Sequence, residues 1–241
     1  MNNMKETKEP ILINDHFQNY KQYNIRKADL IIADIPYNLW NNAYASSTEW
    51  YIWWDNKNWE SDKAWKQFFD TDKDFKISEF LHYASQMLKS EPKDLAKSKP
   101  WCIIVFCAFE QLFEIIQKAP DYWFKNYINL VFRKNFSWQV LKANMKVVWN
   151  CEYWLILYRD KLPKFNNKWK MIFNCFDWII DNKTEKIHPT QKPVPLLEQL
   201  IEIFTDKWEV VIDMCAWSGT TLRAAFNLDR FWIWFEIKKD F

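Results

Sequence analysis

Asp213-Met214-Cys215-Ala216-Trp217-Ser218-Gly219-Thr220-Thr221 is the stretch whose reading decides the fold. An apolar run, Glu209 to Asp213, leads into it, and a helical run, Thr220 to Leu228, leads out. A strand that turns tightly into a helix brings backbone amides to face a ligand. Such a turn needs residues without a β-carbon, for freedom of φ and for close approach. Gly219 meets that need. Trp217 does not, and its indole would project into the space of a ligand. The same residues also read as a plain strand–turn–helix with a Ser or Thr cap. Glu236 closes the next strand, Phe231 to Ile237. An acid about 20 residues beyond such a turn suits ribose hydroxyls, though alone it reads as a solvated strand end.

Working outward, strand and helix patterns alternate. Ile11-Leu12-Ile13 is a short strand, followed by a polar, helical link. Leu30-Ile31-Ile32-Ala33, ending at Asp34, is a buried-strand run, as are Cys102 to Phe106 and Tyr127 to Phe132. The set Ile77, Phe80, Leu81, Ala84, Met87 and Leu88 has helical spacing and predicts an amphipathic helix ended by Pro92. Phe109 to Lys118 reads as a helix stopped near Pro120. Val194 to Phe204 is a helix with Pro193 and Pro195 marking its first turn. Residues 38–62 read as a long loop, and 133–187 as a distinct Lys-, Asn- and aromatic-rich region with one clear strand, Glu152 to Tyr158. Alternation of this kind predicts a mostly parallel sheet with helices on both faces.

Two further motifs carry chemistry. Asp34-Ile35-Pro36-Tyr37 stands at the C-terminal end of a buried strand, where doubly wound sheets bind ligands. A carboxylate, a rigid carbonyl and an aromatic ring converge there. They can accept hydrogen bonds from an exocyclic amine and stack on its ring. The bland alternative is an ordinary Asp-x-Pro turn. His188-Pro189-Thr190-Gln191-Lys192-Pro193 frames a rigid polar loop before a helix. It also reads as a simple helix-leading loop with a capping Thr.

The chain has 17 tryptophans and 1 glycine in 241 residues, where average usage gives about 17 glycines. Several tryptophans fall where a chain turns. Asn58-Trp59 fills an Asn-Gly slot, and Trp208 sits in a polar stretch before a strand. The reading is that Trp40, Trp53, Trp54, Trp59, Trp208, Trp217 and Trp234 stand where the folding sequence has glycine. UGA means tryptophan in some genetic codes and glycine in others, which accounts for the swap. Trp50 and Trp232 read as genuine. The alternative is a truly tryptophan-rich chain that uses its aromatics as core or as base-stacking platforms.

Composition excludes several classes. With 33 basic and 31 acidic residues the formal charge is +2, so nucleic-acid contact requires a local patch. Five cysteines without a C-x-x-C pair, and three scattered histidines, predict no metal site and a reducing, cytoplasmic setting. The polar N-terminus lacks a signal-peptide core, and no run of 18 apolar residues spans a membrane.

Together the motifs resemble the S-adenosylmethionine-dependent DNA amino-methyltransferases in their β-type permuted order. Those enzymes carry D-P-P-Y, a target-recognition region, H-P-T-Q-K-P, a D-P-F-x-G-S-G-T-T turn, and a strand ending in an acid. Here the order is Asp34 to Tyr37, His188 to Pro193, Asp213 to Thr221, then Glu236, over nearly the whole chain. The resemblance is closest to orphan phage-type or restriction-associated adenine methylases. It implies an α/β fold, a Rossmann-like doubly wound, mostly parallel sheet, with a catalytic half at 1–132, a target-recognition insert at 133–187 and a cofactor half at 188–241. It implies catalytic roles for Asp34, Pro36 and Tyr37. It places S-adenosylmethionine among His188, Thr190, Gln191, Lys192, Asp213, Cys215, Trp217, Ser218, Gly219, Thr220, Thr221 and Glu236. Departures are Ile35 for the first proline, Met214-Cys215 for Pro-Phe, and Trp40, Trp217 and Trp234 on usual glycines. The chain stops five residues after Glu236, where relatives commonly run on, so a truncated C-terminus is expected.

The implied reaction is methyl transfer to adenine N6 of a base flipped out of duplex DNA. Lys134, Asn135, Ser137, Lys142, Asn144, Lys146, Arg159 and Lys161 are the candidate contacts to phosphates and base edges. Each also reads as part of a solvated face. N4-cytosine methylation is the runner-up. An inactive DNA-binding relative is the alternative if the tryptophans are genuine. A homodimer and a partner restriction nuclease are left open.

Overall fold

The computed structural model describes residues 11–37, 75–96, 98–134, 140–142, 147–148, 150–168, 170–177, 181, 184, 191–216 and 219–237. In chain order the strands are β1 (Ile11–Ile13), β2 (Leu30–Asp34), β3 (Cys102–Cys107), β4 (Asn126–Arg133), β5 (Val140–Lys142), β6 (Val147–Val148), β7 (Cys151–Tyr158), β8 (Cys175–Asp177), β9 (Val210–Asp213) and β10 (Phe231–Phe235). The helices are α1 (Ile77–Met87), α2 (Phe109–Lys118), α3 (Val194–Phe204) and α4 (Thr220–Asn227). Eight strands form one sheet in the order β1-β10-β9-β2-β3-β7-β4-β8, and β5 pairs with β6 apart from it. β1, β10, β9, β2 and β3 run parallel to one another. Among the described residues, no helix is long and apolar enough to cross a membrane.

The central strands β2, β3 and β9 are apolar without alternation because both faces of the sheet are covered. On one face Ile31, Ala33, Ile103, Val105 and Ile212 pack with Ile77, Phe80, Leu81 and Ala84 of α1 and with Leu112 and Ile115 of α2. On the other, Leu30, Ile32, Ile104, Phe106 and Val211 pack with Leu196, Leu197, Leu200 and Ile201 of α3 and Ala224 and Ala225 of α4. The α1 stripe is the one its sequence spacing predicts. Its end is not set by Pro92: Leu88 is already extended at φ −71 and ψ 141. There it bridges Ala28, whose N–H donates to the Met87 carbonyl at 2.8 Å.

Asp29 anchors the β2–β9 pairing. Its N–H donates to the Val210 carbonyl at 2.8 Å, and its carboxylate accepts the Val210 N–H at 2.9 Å. Lys89 neutralises that buried carboxylate at 2.6 Å.

Residues 133–187 are not wholly outside this sheet. β7 lies between β3 and β4, antiparallel to both. β8 extends the edge beyond β4. The sheet is thus mixed on this side. Trp154 of β7 stacks on Phe132 with ring centroids 4.9 Å apart and an interplanar angle of 2°, and it is fully buried. This indole is core.

Two other tryptophans are not. Trp208 has φ 69 and Trp123 has φ 73, both left-handed, and their side chains are 50% and 69% exposed. The Trp208 N–H donates to the Asp229 carbonyl, and the Trp123 N–H to that of Pro120, so the turn is specified by backbone and not by the indole. An L-residue in this region costs roughly 1–2 kcal/mol that glycine does not. Trp208 was named from sequence, and Trp123 joins it on geometry. Trp208→Gly and Trp123→Gly are each expected to raise stability by about 1 kcal/mol in denaturant melts. The coding triplets at both positions are expected to be TGA, and TGG would overturn the glycine reading.

Candidate functional site

β9 carries the chain toward β10 and β1, whereas β2 carries it toward β3. Loops leaving the C-terminal ends of β9 and β2 therefore diverge and leave a crevice, the place where open α/β sheets bind ligands. The two strands are in register at Ile32 and Asp213. Asp34, Pro36 and Tyr37 thus meet the turn after Asp213, although 179 residues separate Asp34 from Asp213 in the chain.

Ile35 is buried at 1% exposure, and its N–H donates to the Phe106 carbonyl at 3.3 Å. A proline could not make that bond, so the departure from D-P-P-Y adds a rung to the β2–β3 ladder. The Pro36 carbonyl accepts a hydrogen bond from Gln111 Nε2 at 2.8 Å. Gln111 Oε1 in turn accepts the Ala108 N–H at 3.0 Å, capping α2. One side chain therefore ties the helix start to the Pro36 carbonyl and leaves that oxygen a second lone pair. Tyr37 donates its hydroxyl to Asp34 Oδ1 at 3.1 Å.

Lys192, expected from sequence among the cofactor contacts, reaches the Asp34 motif. Its Nζ lies 2.7 Å from Asp34 Oδ2 and 3.2 Å from Glu152 Oε2. Its side chain is only 6% exposed. Glu152 also pairs with Lys134. Burial raises the Asp34 carboxyl above its ordinary value, with Lys192 opposing and Glu152 reinforcing the rise. Burial acts on Glu152 too, but Lys192 and Lys134 outweigh it and leave that carboxyl below the usual range. Burial and the Asp34 charge hold the Tyr37 phenol well above its ordinary value.

On the β9 side, Asp213 is 4% exposed and accepts the Cys215 N–H at 3.0 Å and a Thr221 side-chain hydrogen bond. Gly219 stands at φ 66 as the cap of α4, and Thr220 and Thr221 are buried behind it. Glu236 lies at the end of β10, its N–H donating to the Ile13 carbonyl at 3.1 Å. Gln191 is half-buried next to Lys192. His188, Thr190, Trp217 and Ser218 lie outside the described residues.

The expected DNA contacts divide. Arg159 donates to the Lys89 and Ser85 carbonyls at 2.6 and 2.9 Å. Lys161 Nζ donates to the Pro92 carbonyl at 3.1 Å, and its N–H to Glu91. Both residues follow the end of β7 that is level with the start of β3, opposite Asp34, and serve to dock loops. Lys134 is held by Glu152. The side chains of Asn135, Ser137, Lys142, Asn144 and Lys146, and Trp40, Trp50, Trp53, Trp54 and Trp59, lie outside the described residues. Sequence reading missed Gln111 and Glu152. The one signal for Glu152 was an acid opening an otherwise apolar strand, and Gln111 gave none.

A family model described as DNA methylase, covering N6 and N4 methylases, matches residues 28–241. The chain belongs to this DNA methylase family, whose members use S-adenosylmethionine. Type II methyltransferase M2.LlaDCHI of Lactococcus lactis subsp. cremoris is 23% identical over 98% of this chain and 87% of its own. Type II methyltransferase M2.DpnII of Streptococcus pneumoniae is 23% identical over 94% and 84%. YubD of Escherichia coli (strain K12) is 31% identical over 47% of this chain and 46% of its own. The fold is shared with M1.HpyAVI in its SAM complex, at TM-score 0.64, 20% identity and coverage of 96% and 95%. It is also shared with the cytosine-N4-specific PvuII DNA methyltransferase, at TM-score 0.63, 15% identity and coverage of 94% and 81%.

The polar residues fit an adenosine-bearing cofactor: a buried acid, a helix N-terminus with a left-handed glycine, and an acid ending the next strand. Trp234 fits less well. Its Cζ3 stands 2.6 Å from where a Gly219 Cβ would be, so the indole lies directly on the turn. Its Nε1 is buried without a hydrogen-bond partner among the described residues. Relieving such crowding is worth roughly 1–3 kcal/mol. Trp234→Gly is expected to tighten S-adenosylmethionine binding about tenfold in calorimetry. Unchanged or weaker binding would remove the steric claim.

Burial lifts the Asp213 carboxyl to about 7. Its folded value is thus above its unfolded one, so the stability it contributes is complete in acid and is lost as pH rises through about 7. Asp213→Asn should therefore gain stability relative to the parent over that window, by up to roughly 4 kcal/mol. A difference in denaturant midpoint that stays constant from pH 5 to pH 8 would contradict it.

Proposed function

We propose that this chain transfers a methyl group from S-adenosylmethionine to the N6 amine of an adenine flipped out of duplex DNA. The observation that supports this most is the register of β2 beside β9, which sets Asp34, Pro36 and Tyr37 against the Asp213–Thr221 turn. Asp213, the Gly219–Thr221 helix start and Glu236 would hold the cofactor. When bound, it supplies an electrophilic methyl group.

The residues of this chain do the rest by placement. The target base leaves the duplex because its amine is otherwise paired and stacked. Tyr37 supplies a ring face for it. Asp34 and the free lone pair of the Pro36 carbonyl accept the two amine hydrogens and turn the nitrogen lone pair toward the methyl group. Gln111 keeps that carbonyl oriented. As the amine takes up the methyl group that the cofactor would supply, its surplus N–H proton would pass to Asp34 and on to solvent. Alignment of two reactants is worth up to roughly 7–11 kcal/mol, so no covalent enzyme intermediate is needed. Asp at position 34 inclines the reading to adenine. The names of the full-length relatives support a role beside a restriction nuclease, and duplex DNA as partner.

Asp34→Ala is expected to keep S-adenosylmethionine affinity within about twofold while methyl incorporation into DNA falls by at least about a hundredfold. Turnover near that of the parent would sink the assignment. Mass spectrometry of digested product DNA reads the base: N6-methyladenine is expected, and N4-methylcytosine would move the activity to the other amine.

A further inference from the structure

Lys192 bridges two carboxylates that stand two strands apart. Asp34 pairs in register with Phe106, and Phe106 with Trp154. Glu152 is two residues before Trp154 and so shares its face. The lysine runs over the Phe106 ring, with Nζ 5.2 Å from its centroid and 5.8 Å from that of Tyr37. It ends 2.7 Å from Asp34 and 3.2 Å from Glu152. Its side chain is 6% exposed and that of Glu152 is 13% exposed. A buried lysine beside Asp34 alone would cancel the charge that meets the amine, and would repel the positive charge that develops on the nitrogen during attack. A second buried carboxylate, itself paired with Lys134, draws part of the lysine charge away from Asp34.

We propose that Glu152 is a positioning residue of the transfer site: acting through Lys192, it fixes the Asp34 carboxylate and keeps it a competent acceptor for the target amine. This rests on the methyl-transfer reading above. Glu152 Oε2 is buried, and Lys192 Nζ is 3.2 Å from it. The carboxylate is thus held in place by charge, from Lys192 on one side and Lys134 on the other. Among the described residues, the groups facing Asp34 are Lys192 and Glu152, Tyr37 on its own loop, Cys107 at the end of β3, and Asp213 on β9.

Two variants separate this role from a packing role because they act on Asp34 with opposite sign. Glu152 adds to the rise of the Asp34 carboxyl and Lys192 opposes it. In ¹³C-aspartate-labelled free protein, with Asp34 assigned by Asp34→Asn, Glu152→Gln should move the Asp34 titration midpoint down. Lys192→Met should move it up by roughly one to three pH units. In the active enzyme the acid limb of the kcat profile should follow in the same two directions. Glu152→Gln should lower kcat roughly ten- to a hundredfold with S-adenosylmethionine affinity unchanged, and Glu152→Asp should recover part of the loss. An unmoved midpoint in Glu152→Gln, or equal losses at every pH, overturns the proposal. If the parent transfers no methyl group at all, the functional reading falls by itself, and the titration still decides whether Glu152 sets Asp34.

Discussion

The parallel pairing of β2 with β9 is the contact on which this molecule depends. It joins segments that are remote in the chain, and Asp29, bonded to both the N–H and the carbonyl of Val210, fixes its register. Once Ile32 is opposite Asp213, the Asp34 loop and the turn before α4 leave the sheet at the same edge and diverge. The crevice is a consequence of strand order. A slip of one residue in this pairing would put Asp34 and Asp213 on opposite faces of the sheet, so the register is as much a functional constraint as a structural one.

The crevice holds more charge than its motifs alone suggest. Asp34, Asp213, Glu152 and Lys192 are all wholly or largely buried. Buried charges are tolerated only when paired and hydrogen-bonded. Asp34, Lys192 and Glu152 meet that condition through one another, and Asp213 by binding its proton up to about neutral pH. The site is thus built from one ion-paired half and one half that changes charge near neutrality. A lysine that the motif order assigned to the cofactor belongs to the first half.

The tryptophans divide along the same physical lines. Trp154 stacks in the core and Trp232 packs partly buried against the α3 face. Trp123 and Trp208 sit in left-handed turns with exposed rings. Trp234 lies on the one glycine of the chain. Packing accounts for the first pair. The backbone at 123 and 208, and the closeness of approach at 219, ask for residues without a β-carbon. Glycine at 123 and 208 would relieve strain there, and glycine at 234 would open the turn at Gly219.

Most strands and helices were legible in the sequence because burial on both faces writes unbroken apolar runs, as in Cys102–Cys107, and burial on one face writes helical spacing, as in Ile77–Met87. Motif order likewise named Asp34, the Asp213–Thr221 turn and Glu236, since those residues are local to strand ends. What a single strand cannot write is its neighbour. Nothing in Cys151–Tyr158 says that it enters the main sheet antiparallel between β3 and β4, yet that placement brings Glu152 to Lys192. Nor does the chain say that Gln111 reaches Pro36, or that Arg159 and Lys161 hold loops at the far edge. Sequence by itself determined the elements and the chemistry at their ends, because periodicity and turn composition are local. Tertiary structure alone decided which charges face one another, because strand order and register are set by long-range pairing.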